Sequence, residues 1–326
     1  MTPDKPEMPS RAHGLDLARG LAVVAMVFYH FSWDLSHFGL IETDVGLDPL
    51  WKRFAQTIAA SFLFIAGVSL AFAARDGLNR RRFFRRLGIL VAAALGITVA
   101  TYVAFPDRFI FFGILHSIAV ASVLALPFVG RHWIFAAVAA SGVFLLAAFA
   151  RDPLFNHPTL IWLGLGTAEP LTNDFVPVLP WSGFLLAGLA TGTLWHPSVK
   201  AIPQAPQGFL AKLGRWSLPI YLLHQPLLFG AFTALGATGL LTLSPEVKPF
   251  VQSCAADCET SGAGYGVCTK ACACVARTLR DRPVWRKVIA DRLDDEDRQE
   301  LSLVGRRCYQ AANPAAPLTS PAKEGP

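Results

Sequence analysis

The first long apolar segment of this 326-residue chain carries four ionisable side chains at helical spacing. Arg19 and His30 are eleven residues apart, so on a helix they share one face and stand roughly 16 Å apart along the axis. Asp16 can pair with Arg19, and Asp34 can orient the imidazole of His30 for proton transfer. Each such group costs about 2.5–3.5 kcal/mol in a lipid-embedded helix, so this stripe predicts a face turned to the protein interior or to a wet cavity. Anchoring at the two headgroup regions is the alternative interpretation.

Two further histidines interrupt apolar segments. His116 follows Phe-Gly-Ile-Leu, and His224 lies beside Tyr221 and Gln225, which can supply hydrogen bonds. A single histidine in a helix is usually a packing residue. Three in separate segments each need a polar partner, and one shared cavity satisfies all of them most easily. We therefore predict that these two histidines and the Arg19–His30 stripe converge on one cavity.

Other uses of buried histidines and charges compete with catalysis. Histidine pairs ligate haem or metals, but no pair recurs here at one spacing on two segments, so no metal or haem is predicted. A transporter or flippase also needs buried charges and stays the leading alternative, although no internal repeat divides the chain. A non-catalytic assembly subunit leaves the histidines unexplained. Walker and dinucleotide-binding glycine motifs are missing from the sequence.

The composition places these side chains in a membrane protein. Hydrophobic residues make up 53% of the chain and charged residues only 16%, whereas a soluble domain is about 25% charged. A helix that crosses the hydrocarbon layer needs about 20 mostly apolar residues. Seven segments approach that length: 15–35, 54–74, 88–105, 109–129, 133–150, 178–195 and 216–240. The predicted fold class is all-α, a polytopic transmembrane helix bundle of about seven spans with a Cys-rich C-terminal tail.

Basic residues between the segments predict the orientation, because positively charged short loops stay on the cytoplasmic side. If the Arg80–Arg86 cluster is cytoplasmic, twelve basic residues lie inside and four outside. An inner-membrane protein with a cytoplasmic N-terminus and a periplasmic C-terminus follows from the odd span count. The predicted parts are an N-terminal tail 1–14, a membrane domain 15–243 and an extracytoplasmic tail 244–326.

The predicted external tail holds every cysteine of the chain, Cys254, Cys258, Cys268, Cys272, Cys274 and Cys308. An even number of cysteines in a segment that faces an oxidising compartment predicts two or three disulfides. Their pairing stays open at this stage. The C-x3-C spacing differs from the C-x2-C of common zinc sites, so a metal site is the weaker interpretation.

Several motifs occur in a fixed order between about Arg11 and Leu235. They are Arg11-Ala-His-Gly-Leu-Asp-Leu-Ala-Arg-Gly20 with Met26-Val-Phe-Tyr-His30, Ser61-Phe-Leu-Phe-Ile-Ala-Gly67, Phe112-Gly-Ile-Leu-His116, Asp174-Phe-Val-Pro-Val-Leu-Pro-Trp181 and Tyr221-Leu-Leu-His-Gln-Pro226. As a set they resemble the catalytic domain of the heparan-α-glucosaminide N-acetyltransferase family, most closely its compact bacterial members. The Arg-x10-His spacing is also similar to that of membrane O-acyltransferases that modify bacterial surface sugars.

The resemblance implies transfer of an acetyl or other acyl group from cytoplasmic acyl-coenzyme A to a sugar amine or hydroxyl across the membrane. His30, oriented by Asp34, would be the general base or would carry the acyl group itself. His116 or His224 would stabilise the developing oxyanion. In the lysosomal enzyme the proposed catalytic histidine follows the first span, and here that stretch contains His37, which is the second choice for the base.

The resemblance also implies where the donor and the other partners bind. Acetyl-coenzyme A or another acyl-coenzyme A would be held by Arg19 and Asp16 and by Arg82 and Arg85 of the arginine cluster. Retention of positive charge on the cytoplasmic side, together with contact to anionic lipids, is the favoured interpretation of that cluster, and donor binding is its functional alternative. The predicted partners are the lipid bilayer and a saccharide or glycan acceptor, with no nucleic acid and no metal. A homo-oligomer is compatible with the sequence.

Overall fold

The computed structural model describes residues 13–41, 43–46, 48–168, 170–195, 208–238, 245–280 and 282–313. Across these ranges the chain forms α-helices and short 3-10 turns and contains no strand, which confirms the all-α prediction. Most of the predicted N-terminal tail 1–14 and the predicted boundary at 243/244 lie outside the described residues.

Among the described residues, eight α-helices precede the tail: α1 His13–His37, α2 Pro49–Ala73, α3 Arg80–Ala104, α4 Ile114–Leu124, α5 Trp133–Phe149, α6 Val178–Leu194, α7 Phe209–Arg215 and α8 Ser217–Ala237. By length and composition α1, α2, α3 and α8 can cross a membrane. The helices α4, α5 and α6 are apolar but shorter, with 11, 17 and 17 residues. Each of the seven predicted segments thus contains an apolar helix, and four of these helices have the length of a span.

Helix α3 begins earlier than the sequence predicted, because the arginine cluster forms its first two turns and is not a loop. The side chain of Asn79 accepts a hydrogen bond from the backbone N–H of Arg82 at 3.0 Å and so caps the helix. Arginine is a good helix former, and its long side chain reaches water from a helix end. Farther along α3, Val99 and Val103 are 64% and 79% exposed. Such a large exposed apolar surface is suited to lipid.

The chain divides into two compact units. The first contains residues 1–29 and 52–226, and the second contains residues 30–51 and 227–326. The boundary between them falls inside α1 and inside α8. Each unit has its own buried core.

In the first unit, helices α2 and α6 touch through their backbones. A Cβ atom on Gly67 would collide with the carbonyl oxygen of Leu185, and one on Gly188 would collide with that of Phe64. Small residues at a helix interface permit this close approach in membrane proteins. Leu63 and Leu185 are fully buried beside the contact.

In the second unit, the part of the tail that the structure describes forms four helices: α9 Val247–Thr260, α10 Tyr265–Leu279, α11 Val284–Ile289 and α12 Asp295–Ala312. The cysteines of each C-x3-C pair lie one turn apart on one helix face, so two helices can be joined twice. The disulfides are Cys254–Cys272 and Cys258–Cys268 between α9 and α10, and Cys274–Cys308 between α10 and α12. The predicted two or three disulfides are therefore three.

The tail also has a small apolar core and a capped helix start. Trp285 is buried against Phe250 and donates from its indole nitrogen to Glu246 at 3.0 Å. At the start of α12, a hydrogen bond from Lys287 lowers the pKa of Asp294 to about 2. The tail is thus a folded helical unit and not an irregular appendage.

The glycine contact between α2 and α6 gives a first prediction. Replacing Gly188 by Ala forces a methyl group against the α2 backbone, and it should lower the free energy of unfolding by about 1–3 kcal/mol. The matched control is Gly142→Ala on α5, where a Cβ would meet no atom within 4 Å. Thermal unfolding in detergent checks both variants. Equal melting temperatures for the two would contradict the backbone contact.

Candidate active site

Arg19 is held by two partners within the first unit. Its guanidinium donates to Asp16 at 2.8 Å and to the hydroxyl of Ser69 on α2. The Asp16 and Arg19 side chains are 14% and 23% exposed, so the ion pair is largely shielded from solvent. The predicted pairing of Asp16 with Arg19 is present, and it joins α1 to α2 through Ser69.

A polar cavity of about 580 Å³ opens beside this ion pair. Its lining includes Arg19, Arg86 of α3 and Arg215 at the end of α7. The sequence predicted donor binding by Arg82 and Arg85. Both side chains are exposed and do not line this cavity. Three guanidinium groups around one cavity can bind a polyanionic group through charge-assisted hydrogen bonds.

A larger and mostly apolar cleft of about 1820 Å³ adjoins the polar cavity, since Leu15 and Phe72 line both. It is lined by the first half of α1, by α2, by α6 and by the segment that precedes α6. On α2 its lining extends from Arg53 to Phe72, which is about 28 Å of helix and close to the thickness of the hydrocarbon layer. Ligand pockets usually measure about 300–1,000 Å³, so this cleft can hold a long ligand or two ligands.

Asp174 interacts with residues of two other sequence motifs, the one that ends at His116 and the one that begins at Tyr221. Its carboxylate accepts the backbone N–H of Ile114 at 3.2 Å, at the start of α4 and two residues before His116. It is also close enough to Tyr221 of α8 to interact electrostatically with it. Loss of solvation raises the pKa of Asp174 to about 6, and the Ile114 hydrogen bond opposes that rise.

The histidines of α4 and α8 make hydrogen bonds within their own parts of the first unit. The Nδ1 atom of His116 accepts the N–H of Gly113 at 3.3 Å, and Nε2 lies 3.4 Å from the Thr98 hydroxyl. The Nδ1 atom of His224 donates to the carbonyl oxygen of Tyr221 at 2.8 Å. Neither histidine lines either of the two cavities.

The second half of α1 holds the predicted catalytic pair. His30 is half-buried, and Asp34 is completely buried one turn later. His37 follows Asp34 by three residues, so the buried carboxylate lies on the helix face between the two imidazoles. Asp34 is therefore within helical reach of both rings.

His37 differs from His116 and His224 in its surroundings. Its ring stacks on Trp33 with centroids 4.9 Å apart and contacts Phe38 and Phe229. Within the described part of the chain, its ring nitrogens make no hydrogen bond. The plane of the ring is thus fixed by stacking.

Sequence reasoning missed Arg86 and Asp174 as site residues. Arg86 belongs to the recognised arginine cluster, but only the rotation of α3 decides which arginine faces the cavity. Asp174 begins one of the quoted motifs, and an acidic residue just before an apolar segment was the available signal. No group of three or more His, Cys, Asp or Glu side chains that could hold a metal occurs among the described residues.

Helices of membrane-spanning length, a cleft along them and an arginine-lined cavity define a polytopic membrane protein with an internal ligand site. The chain matches the family model described as "Heparan-alpha-glucosaminide N-acetyltransferase, catalytic" over residues 11–226. This match covers more than half of the chain, so the protein belongs to that family of membrane acetyltransferases. No curated protein and no solved structure matches the chain.

Asp174 gives a prediction about pH. Because the pKa of its carboxyl is about 6 in the folded protein and lower when unfolded, the folded state binds this proton more tightly. The resulting stability is present below about pH 4 and is lost as the pH rises through 6. Asp174→Asn cannot ionise and keeps an acceptor for Ile114. Melting temperatures from pH 4 to 7.5 should therefore fall less in this variant than in the wild type.

The control for this measurement is Asp152→Asn. Asp152 accepts the N–H of Leu154 at 2.8 Å in an exposed turn, and asparagine caps equally well. This variant should follow the wild-type pH dependence. If the melting temperature of Asp174→Asn also fell with pH as in the wild type, Asp174 would not be the group that titrates.

Proposed function

We propose that the protein transfers an acetyl or other acyl group from acyl-coenzyme A to an amine or hydroxyl of an envelope saccharide on the other side of the membrane. The observation that carries this proposal is the pair of adjoining cavities in the first unit. One is small, polar and lined by arginines, and the other is long and mostly apolar. Family membership supports the acetyl transfer itself.

The polar cavity suits the phosphate groups of the donor. Arg19, Arg86 and Arg215 place positive charge around it, and Asp16 keeps the Arg19 guanidinium in a fixed orientation. Ser217 also lines the cavity and can offer a hydroxyl group, whereas the Ser69 hydroxyl is used by Arg19 and by the carbonyl oxygen of Ile65. A phosphate bound there would be neutralised by guanidinium groups whose geometry matches its oxygens.

The apolar cleft suits the arm that carries the acyl group. It starts at Leu15 and Phe72, beside the polar cavity, and its lining reaches Arg53 near the start of α2 and Arg151, which follows the end of α5. A donor bound by its phosphates in the cavity can extend its thioester into this cleft. The acyl group is thereby carried away from the arginine-lined end while the charged part of the donor stays in place.

The second half of α1 supplies the proposed base. A neutral imidazole, either that of His30 oriented by Asp34 or that of His37 held by its stacking on Trp33, takes a proton from the acceptor amine or hydroxyl as it attacks the thioester carbon. A C–N or C–O bond forms, the C–S bond breaks, and the coenzyme A thiolate takes up a proton. That His116 or His224 binds the carbonyl oxygen that becomes negative stays a prediction from the sequence, since neither histidine lines the cleft.

The orientation is part of the proposal. We assign the arginine-lined cavity to the cytoplasm, where acyl-coenzyme A occurs, and the disulfide-bonded tail to the periplasm. The placement is supported by positively charged loops and by the need of disulfides for an oxidising compartment. The catalytic membrane domain then comprises residues 15–243 of an inner-membrane protein.

A transporter is the second candidate function, because the cleft is as long as the bilayer is thick. The two functions differ in what happens to the donor. A transporter leaves the thioester intact, whereas an acyltransferase releases coenzyme A. Turnover of the thioester therefore separates them.

Purified protein given labelled acetyl-coenzyme A and saccharide acceptors should release free thiol and transfer the label. Loss of the base should lower kcat by about 100-fold or more, so His30→Asn or His37→Asn should show this loss. The control is His132→Asn, since His132 is an exposed helix cap that asparagine can replace. No turnover in the wild type would refute the proposed function, and full activity in both variants would refute the proposed base.

The donor cavity is tested with two arginines of one cluster. Arg86→Gln should raise KM for acyl-coenzyme A by about tenfold, because a cavity guanidinium that binds phosphate is removed. Arg82→Gln is the matched control, four residues earlier on the same helix and outside the cavity lining. Equal effects of the two substitutions would mean that the cluster acts through its total charge and not through the cavity.

A further inference from the structure

Lys248 in the first turn of α9 makes several contacts within the second unit. Its ammonium group lies 3.3 Å from the Asp44 carboxylate and 5.3 Å from the centroid of the Trp33 ring. The side chains of Lys248 and Asp44 are only 16% and 18% exposed. An ion pair that is shielded in this way is screened less by water and salt than a surface pair.

The contacts of Lys248 lead to His37 through one aromatic ring. Trp33 accepts the cation over its face and stacks on the His37 imidazole with an interplanar angle of 13°. Lys248 is also close enough to His37 to interact with it electrostatically. Movement of the lysine would therefore release the indole that keeps the imidazole in its plane.

The backbone packs closely against Lys248 at Gly46. A Cβ atom on Gly46 would lie 3.2 Å from the Lys248 ammonium nitrogen and 3.7 Å from the indole nitrogen of Trp33. The absence of a side chain at Gly46 lets the chain after α1 pack against both groups. Arg280 of the tail makes a second contact with this region, donating to the carbonyl oxygen of Gly39 at 3.3 Å.

We propose that Lys248 is a positioning residue for acyl transfer, which holds His37 in its working orientation through Trp33. The inference rests on the proposed function and adds a role for the tail, which lies beyond the family match at residues 11–226. The tail then completes the site around α1. His37 acts as the base in this arrangement, since its ring is held while its nitrogens make no hydrogen bond within the described residues.

The test begins with wild-type turnover of labelled acetyl-coenzyme A, because its absence would refute the proposed function and not the role of Lys248 alone. Lys248→Met keeps the aliphatic stem but removes the charge, and it should lower kcat by about tenfold to 100-fold with little change in the donor KM. Lys248→Arg keeps the cation over Trp33 and should retain most of the activity. The control is Lys270→Met, since Lys270 is exposed on α10.

A double-mutant cycle shows whether the lysine acts through the indole. Trp33→Leu should lower kcat as much as Lys248→Met does, and the double variant should be no slower than either single variant. Additive losses would overturn the role of Trp33 as the link. Wild-type kcat in Lys248→Met, or loss of activity in His30→Asn but not in His37→Asn, would overturn the proposal. If Lys248→Met does not fold, Asp44→Asn loosens the same lysine and should lower kcat in the same direction.

Discussion

An ionised side chain inside a lipid-embedded helix must find its partner within the protein, and this requirement organises the first unit. Arg19 donates hydrogen bonds to Asp16 on its own helix and to Ser69 on the next helix. The hydrogen bond to Ser69 ties α1 to α2 at one level. Two residues before Ser69, Gly67 brings α2 against the backbone of α6. The walls of the polar cavity and of the apolar cleft are therefore set by the same pair of helix contacts.

The two cavities separate charge from apolar surface along the molecule. Arginine side chains surround the small cavity, whereas the long cleft is lined mostly by apolar side chains. A ligand with a charged head and an uncharged arm therefore binds with its head in the arginine-lined cavity and its arm in the cleft. The opposite orientation would leave the guanidinium groups of the cavity without an anion. Asp174, next to Phe175 of the cleft lining, links the start of α4 to Tyr221 of α8. Its N–H partner and its nearby phenol explain how a carboxylate is accommodated among apolar helices.

The tail is a small helical unit that depends on disulfides for its stability. Its core consists of a few side chains around Trp285, which is little apolar surface for independent folding. Three disulfides join α9, α10 and α12 and restrict the unfolded chain. A unit held in this way can present a side chain such as Lys248 in a defined position, which a flexible extension could not do.

Local spacing determined much of this protein from the sequence alone. The apolar segments, the Asp16–Arg19 pair, the shared helix of Arg19 and His30 and the disulfide-bonded tail all depend on residues that are close in the chain. A helix repeat or a count of cysteines is enough to predict them. The family resemblance was visible for the same reason, because its motifs are short.

Contacts between distant segments decided the rest. Which arginine of α3 faces the polar cavity depends on the rotation of that helix, and Arg86 faces it because of how α3 packs. The cysteine pairing needed the antiparallel arrangement of α9 and α10, and Asp174 gained its partners from α4 and α8. The approach of Lys248 to Trp33 joins residues more than 200 positions apart. Helix periodicity carries no information about such pairs, because their free energy comes from tertiary packing.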